Sequence, residues 1–378
     1  MTDKMQKTKD LIKTIRRETK KHGTPLMIIS KAALKAQFNL FKKYLPDVEP
    51  YYAIKANPAP GIIKFFADLG AGFDVASANE MKTVLSLGVK PEKIIFANTI
   101  KSEKDMIFSK KNGVKLMTFD NEPELYKIAK NCPGAKVLAR IKVANVGSIV
   151  ELSLKFGADP EQAVPFLIKA KKLGLKPSGV AFHVGSQCLD ASNYIQALEI
   201  SSAIFYEAKQ NGIKLNILDI GGGFPIKHFD RDDHIDFQTL ASKIRKELKR
   251  LFDKETKFIA EPGRYFAGPA GLLITRVVGR TFRNNKNYYY LDDGIYQDFS
   301  GIVFDHCKYQ FNAIKRGHKF LSTLAGPTCD SFDTISQSEE LPELEVGDIV
   351  YVKNIGAYSC ASAVPGFNGF MPAKIVLI

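Results

Sequence analysis

Between residues 51 and 260, short apolar runs alternate with longer stretches of helical periodicity, and this constrains the fold more than any other feature of the chain. The apolar runs are "YYAI", "FDV", "IIFA", "KLMT", "VLARI", "VAFH", "NILD" and "KFIA". Segments such as "SANEMKTVLSLG" and "NYIQALEISSAIFYEAKQNG" lie between them and end in glycine, which readily takes the left-handed conformation past a helix C-terminus. Eight tightly connected strand-and-helix repeats predict an α/β protein built on a (β/α)8 TIM barrel. A doubly wound sheet is the alternative, disfavoured because no GxGxxG follows the first run. After about residue 262 the texture changes to strand-like runs with little helix, including "GLLITRVVGRTF", "NYYYLDDG", "HKFLSTLAG", "DIVYVKN" and "AKIVLI". The expected organisation is a barrel over 26–261 and a mainly β domain over 262–378, joined by the N-terminal segment 1–25.

Active sites of such barrels lie at the C-terminal ends of the strands. Six of the eight runs deliver an ionisable or glycine-rich element there. These are Lys55 after the first, Asp74 in the second with Glu80 beyond it, Arg140 in the fifth and His183 in "FHVGSQ". The seventh runs into "DIGGGFP" and the eighth into "EPGRYF". Singly, each has an ordinary structural explanation: an ion-paired arginine, a core histidine, a tight glycine turn. Fold maintenance alone gives no reason to gather them on one rim. Barrels commonly bind phosphate with the loops after strands seven and eight, where bare glycine backbone lets N–H groups approach the oxygens closely. A phosphate site facing a strand-end lysine suggests pyridoxal 5′-phosphate (PLP), whose aldehyde bonds to an amine. Glu261 is then placed to hold the pyridine nitrogen protonated.

The motifs "YYAIKAN", "FDVASANE", "FHVGSQ", "LDIGGGFP", "EPGRYF", "DDGIY", "GPTCDSFD" and "GAYSCASAVPGFNGF" occur in this order across nearly the whole chain. In this the chain resembles the fold-type III PLP-dependent basic amino-acid decarboxylases, the ornithine decarboxylase family. The resemblance implies an alanine-racemase-like barrel, a β domain and a homodimer with two shared active sites. It makes Lys55 the residue that bonds the cofactor, stacks His183 on the ring and pairs Glu261 with the ring nitrogen. Ser186, Gly223, Gly263, Arg264 and Tyr358 would hold the phosphate, with Asp74, Glu80 and Arg140 supporting lysine and cofactor. Cys329, the implied proton donor, and Asp330 would enter from the partner subunit, and Phe367 would line the site. Two departures fall in substrate-contacting loops. Gln297 and Asp298 stand where relatives often carry small residues, and the Tyr358 to Phe367 spacing is one residue longer than in eukaryotic members.

Asp292, Asp293 and Asp330 are the candidate partners for a cationic substrate amine, since carboxylates pair well with an ammonium group in a partly desolvated pocket. Asp beside Gly is also a routine turn signal, so Asp292 has a second explanation. Aspartate rather than glutamate after Cys329 favours ornithine, giving putrescine in polyamine biosynthesis, over diaminopimelate. Lysine differs by one methylene, worth only about 1–3 kcal/mol of discrimination. A lysine or dual-specificity enzyme is therefore the alternative, followed by an arginine decarboxylase or a non-catalytic regulator. Retention of Lys55, Cys329 and Asp330 speaks against the regulator.

Composition excludes little else. The net charge of +14 is spread along the chain without a finger, zipper or RNP signature, so no nucleic-acid partner is expected. No run is long enough to span a membrane. Asp3, Asp10 and Glu18 count against an organellar presequence and for a solvated amphipathic helix. The five cysteines, Cys132, Cys188, Cys307, Cys329 and Cys360, are scattered with no CxxC pair, which fits reduced thiols in a cytoplasmic protein and no metal site.

Overall fold

The computed structural model describes residues 3–144, 148–150, 155–229 and 235–378. The chain divides into two compact units: Lys35–Ile226 with Asp233–Phe266, and Met1–Leu34 with Lys227–Asp232 and Ala267–Ile378.

The first unit holds a closed barrel of eight parallel strands at the eight apolar runs. They are β1 (Val48–Ala53), β2 (Gly72–Val75), β3 (Ile94–Phe96), β4 (Leu116–Phe119), β5 (Lys136–Arg140), β6 (Lys176–Ala181), β7 (Ile217–Asp219) and β8 (Lys257–Ala260). The barrel closes where Phe258–Ala260 pairs with Val48–Pro50. Alternate side chains point to opposite faces of a strand, and here both faces are covered. Tyr51, Ile95, Leu138, Ala181, Ile217 and Ile259 form one buried cluster. Tyr52 and Phe73, on the opposite face, belong to an aromatic layer with Phe66 and Phe266. Burial on both faces is why these strands read as continuous apolar runs rather than as alternating ones.

The helices after β2, β3 and β4 begin on side-chain caps. Ser77, Ser102 and Asn121 accept hydrogen bonds from the backbone N–H groups of Glu80, Asp105 and Glu124. Each satisfies a donor that the first helical turn leaves unpaired. A buried cation ties two of these loops together. Lys101 has no exposed side-chain surface, lies 3.0 Å from Glu124 Oε1 and donates to the carbonyls of Asn98, Thr99 and Thr118. Burial lowers its pKa to about 8, against the raising effect of Glu124.

The second unit contains an eight-stranded sheet. Its long strand Gly271–Arg283 pairs with Lys286–Leu291, Ile349–Lys353 and Leu26–Ile29. Leu26–Ile29 also runs parallel to Lys374–Leu377, so both ends of the chain are anchored in one sheet. Helix Asp3–His22 buries Ile15 against Leu26, Ile28, Leu272, Ile274 and Tyr351. These pairings draw the unit limits differently from the expected 26–261 and 262–378, because Leu26–Ile29 is a sheet strand. Strands Phe311–Ala313 and Thr334–Pro342 are further members that the apolar runs did not mark.

Candidate active site

The barrel rim is built from the turns that follow its strands. β1 ends at Ala53, and Ile54–Ala56 forms a 3-10 turn, so Lys55 sits just past the strand rather than on it. Ile54 and Ala56 are buried on either side of it, which fixes the backbone and sends the lysine side chain outward. The following chain is held as well. The Tyr52 hydroxyl donates to the Asn57 carbonyl at 3.0 Å, and Asn57 Oδ1 accepts from the Ala59 N–H at 3.2 Å. Lys55 Nζ donates to Asp74 Oδ2 at 2.9 Å, and Asp74 is buried within β2. Glu80 turns back from its helix to accept from the Ala76 N–H at 2.6 Å, holding the loop after β2. Burial pushes the Glu80 pKa up, and the Asp74 charge adds to this.

Arg140 ends β5, with its guanidinium 5.3 Å from the centroid of the Phe156 ring. His183 lies two residues beyond β6, where its Nδ1 accepts from the Gly185 N–H at 3.1 Å. Burial, and then the positive charges of Arg140 and Lys55, push its pKa well down. The imidazole is therefore neutral, with the proton on Nε2. Ser186 opens a short strand paired with Ser148–Val150, and its hydroxyl accepts from Arg264 Nη2 at 3.3 Å.

The glycine turn after β7 is sterically required. Gly221 and Gly223 have φ of +64° and +99°. A Cβ would stand 2.1 Å from the Phe182 carbonyl oxygen at Gly221, and 2.4 Å from that of Gly185 at Gly223. At Gly222 it would stand 2.9 Å from His183 Nε2. Bare backbone thus lies directly against the histidine. Glu261 follows β8, nearly buried, with its N–H donating to the Gly221 carbonyl at 2.7 Å. Its pKa is pushed well up by burial and then by the charges of Asp219 and Asp74. Asp219, absent from the expected site, is the fully buried last residue of β7. It lay within the quoted "LDIGGGFP", and a carboxylate at a barrel strand's C-terminal end was the signal available.

Lys55, Asp74, Glu80, Arg140, His183, Ser186, Gly223, Glu261, Gly263 and Arg264 all belong to the barrel unit. Cys329, Asp330, Asp292, Asp293, Tyr358 and Phe367 belong to the sheet unit. There, exposed Cys329 is held by Asn368, whose Oδ1 lies 3.0 Å from the Cys329 backbone nitrogen and 3.3 Å from Sγ. Asp330 Oδ2 accepts from the Tyr296 hydroxyl at 2.5 Å, which lowers the Asp330 pKa. Tyr296 in turn stacks on Phe367, with ring centroids 4.2 Å apart. Asn368 and Tyr296 were not anticipated, although both lie inside quoted motifs. Tyr358 is partly buried, with φ +52°. Asp292 Oδ1 accepts from the Arg276 N–H at 2.8 Å, and burial raises its pKa. Asp293 is fully buried and accepts from the Asp298 N–H at 3.0 Å. Asp298 is also buried and accepts from the Ala373 N–H at 2.6 Å.

The barrel residues fit PLP. Glu261 shares its surroundings with two other acids, Asp74 and Asp219, and burial makes its ionisation costly. A protonated ring nitrogen would add a positive partner to Lys55 and Arg140, which already oppose the rise. The close approach of glycine backbone and neutral histidine leaves a flat, uncharged face suited to an aromatic ring.

The chain is similar to known proteins over nearly its whole length. The profile of the family described as "Pyridoxal-dependent decarboxylase, pyridoxal binding domain" matches residues 31–268. A lysine/ornithine decarboxylase of Selenomonas ruminantium is 39% identical, with 97% of this chain and 92% of that protein covered. An ornithine decarboxylase of Caenorhabditis elegans is 36% identical, with 97% and 90% covered. The crystal structure of the Vibrio vulnificus lysine/ornithine decarboxylase complexed with cadaverine superposes with a TM-score of 0.91 at 33% identity, covering 97% of this chain and 98% of that one. The chain belongs to the fold-type III PLP-dependent basic amino-acid decarboxylases. It is accordingly a carboxy-lyase that uses PLP to decarboxylate a basic amino acid.

Proposed function

We propose that this enzyme converts L-ornithine to putrescine and CO2, a step of polyamine biosynthesis, and works as a cytoplasmic homodimer. The observation that carries the substrate class is Asp330, next to Cys329, kept ionised by the Tyr296 hydroxyl. A fixed carboxylate suits a distal ammonium group. Asp293 and Asp292 are the further acidic contacts in this reading, and Phe367 supports the loop through Tyr296.

When bound, PLP supplies an aldehyde that captures amines and a ring that accepts the electron pair left by departing CO2. Lys55 Nζ would hold the cofactor, and Asp74, 2.9 Å away, would orient that nitrogen. Glu80 and Arg140 support the rim around this pair. The Glu261 carboxylate would keep the ring nitrogen protonated, a fixed countercharge placed where charge develops. Neutral His183 would cover one face of the ring. Ser186, Gly223, Gly263, Arg264 and Tyr358 would hold the phosphate, and Arg264 Nη2 donates to the Ser186 hydroxyl at 3.3 Å. Cys329 Sγ would serve as the proton donor to the substrate after CO2 has left. Cys329 and Asp330 act in the partner subunit's site. Exposure of Cys329, with apolar Phe332 and Met371 also exposed on this unit, supports that reading.

Lysine is the second reading, favoured by the lysine/ornithine naming of the Selenomonas relative. No membrane enters either reading, and among the described residues no helix is long and apolar enough to cross one. Measuring CO2 release from ornithine, lysine, arginine and diaminopimelate tests the assignment. The highest kcat/KM is expected with ornithine; equal values for ornithine and lysine would replace it with dual specificity.

A further inference from the structure

Cys329 and Asp330 lie in the connection 326–333 between strands Lys319–Ala325 and Thr334–Pro342. Its last residue, Asp333, is buried and has no part in the site described above. Asp333 Oδ1 accepts from the Ile295 N–H at 2.7 Å. Oδ2 accepts from the Thr328 N–H at 3.1 Å and from the Thr328 hydroxyl at 2.7 Å. The Asp333 backbone closes the connection on itself. Its N–H donates to the Asp330 carbonyl at 3.0 Å, and its carbonyl accepts from the Gly326 N–H at 2.8 Å. Asp333 thus bonds the residue before Cys329 and the carbonyl of Asp330, bracketing the pair. An aspartate that merely caps a turn bonds nearby backbone, whereas Ile295 is 38 residues away. Ile295 precedes Tyr296, whose hydroxyl donates to Asp330. The two loops are therefore joined twice, at the backbone by Asp333 and at the side chains by Tyr296 and Asp330. The joint leaves no spare room. A Cβ would stand 2.2 Å from Asp333 Oδ1 at Gly294 and 2.3 Å from both carboxylate oxygens at Gly326.

We propose that Asp333 is a positioning residue for the reaction: its carboxylate clamps the loop carrying Cys329 and Asp330 to the loop carrying Tyr296, and so sets where the thiol and the acid stand. The proposal rests on Cys329 as proton donor and Asp330 as substrate contact. Both carboxylate oxygens are needed, because each faces donors of a different loop. Asp333→Asn keeps the shape but turns an amide donor against the N–H of Ile295 or of Thr328. Asp333→Ala removes both acceptors. Thr328→Val removes the hydroxyl donor alone, and Thr328→Ser restores it.

The test measures kcat and KM for ornithine in these holoenzymes, together with the rate at which iodoacetamide alkylates Cys329 at fixed pH, read by peptide mass spectrometry. Thermal unfolding checks folding. Asp333→Asn should lower kcat/KM about tenfold or more, the worth of a buried hydrogen bond to a charged group, with kcat falling and KM rising together. Alkylation of Cys329 should quicken about threefold or more, because the freed loop opens more often. The rate of PLP loss should stay within about twofold of wild type, because no residue that Asp333 bonds is assigned to the cofactor. Thr328→Val should lower kcat/KM about threefold, and Thr328→Ser should return it to within about twofold of wild type. In an Asp333→Ala background, Thr328→Val should add less than about twofold, because its partner is already gone. Wild-type kinetics and alkylation in Asp333→Asn, PLP loss that quickens as activity falls, or full additivity in the double variant would each overturn the proposal. If the Asp333 variants do not fold, the Thr328 pair decides: a Val variant like wild type, or a Ser variant as damaged as Val, would overturn it. Wild-type kinetics in both Cys329→Ala and Asp330→Ala would sink the reading of the site. Kinetic loss in those two with no change in Asp333→Asn would sink the proposal alone.

Discussion

Lys55 Nζ lies 2.9 Å from Asp74 Oδ2, an amine with 45% of its side chain exposed resting on a buried carboxylate. The buried partner fixes the geometry, and the exposed one remains available to react. Replacing Asp74 with Asn keeps the shape and removes the charge. Cofactor incorporation by Asp74→Asn should slow by roughly tenfold or more, consistent with loss of a charge-assisted hydrogen bond. Stopped-flow absorbance after PLP addition to the apoenzyme measures this, and far-UV circular dichroism should be unchanged.

The buried pair Asp293 and Asp298 gives a pH dependence of stability. Burial lifts Asp298 from 3.8 to about 6, and burial together with the Asp298 charge lifts Asp293 well above its ordinary value. The folded state therefore binds more protons than the unfolded state across this window. The associated stability is fully present below the unfolded value of 3.8 and is lost as pH rises through about 6. Asp298→Asn keeps an acceptor for the Ala373 N–H and gives Asp293 a neutral donor. It should flatten stability between these pH values and gain roughly 1–3 kcal/mol at pH 8. Urea unfolding at a series of pH values checks both.

Lys101 predicts a cost without a catalytic role. Lys101→Met leaves the carbonyls of Asn98, Thr99 and Thr118 without their donor and takes one cation from Glu124. Lys127 remains 2.7 Å from Glu124, so the carboxylate is not stranded. Destabilisation of about 3 kcal/mol is expected, the low end for breaking a buried ion pair. Urea denaturation reads this directly.

The proposed sharing of each site between two subunits makes a statistical prediction. Lys55→Ala and Cys329→Ala should each be inactive alone, yet regain about a quarter of wild-type activity when mixed and allowed to exchange subunits, because half the dimers then carry one intact site. Absence of recovery, with exchange confirmed by differently tagged subunits, would count against Cys329 acting across the interface.

The barrel was legible because strands covered on both faces read as unbroken apolar runs. Leu26–Ile29 has that same texture, but its partners at 271–274 and 374–377 are far away in sequence, so local pattern could not assign it to the sheet. Thr334–Pro342 carries Ser, Gln and Glu and hid its strand character. The first apolar run was read through Ile54, while the strand ends at Ala53 and Ile54–Ala56 already turns, one residue earlier. The rim residues were found because barrel chemistry gathers at strand ends. Asp219 was passed over because "LDIGGGFP" was read for its glycines, and the burial of that carboxylate within the barrel is a matter of tertiary packing. Asp293 read as a substrate contact, and only the folded loop shows Asp298 beside it.

The most direct test of the account is to trap the cofactor on the protein. The holoenzyme is reduced with borohydride and digested, and the peptide carrying the phosphopyridoxyl group is identified by mass spectrometry. The account predicts a single label, on Lys55. A label on another lysine, or no label on an enzyme shown to contain PLP, would contradict it.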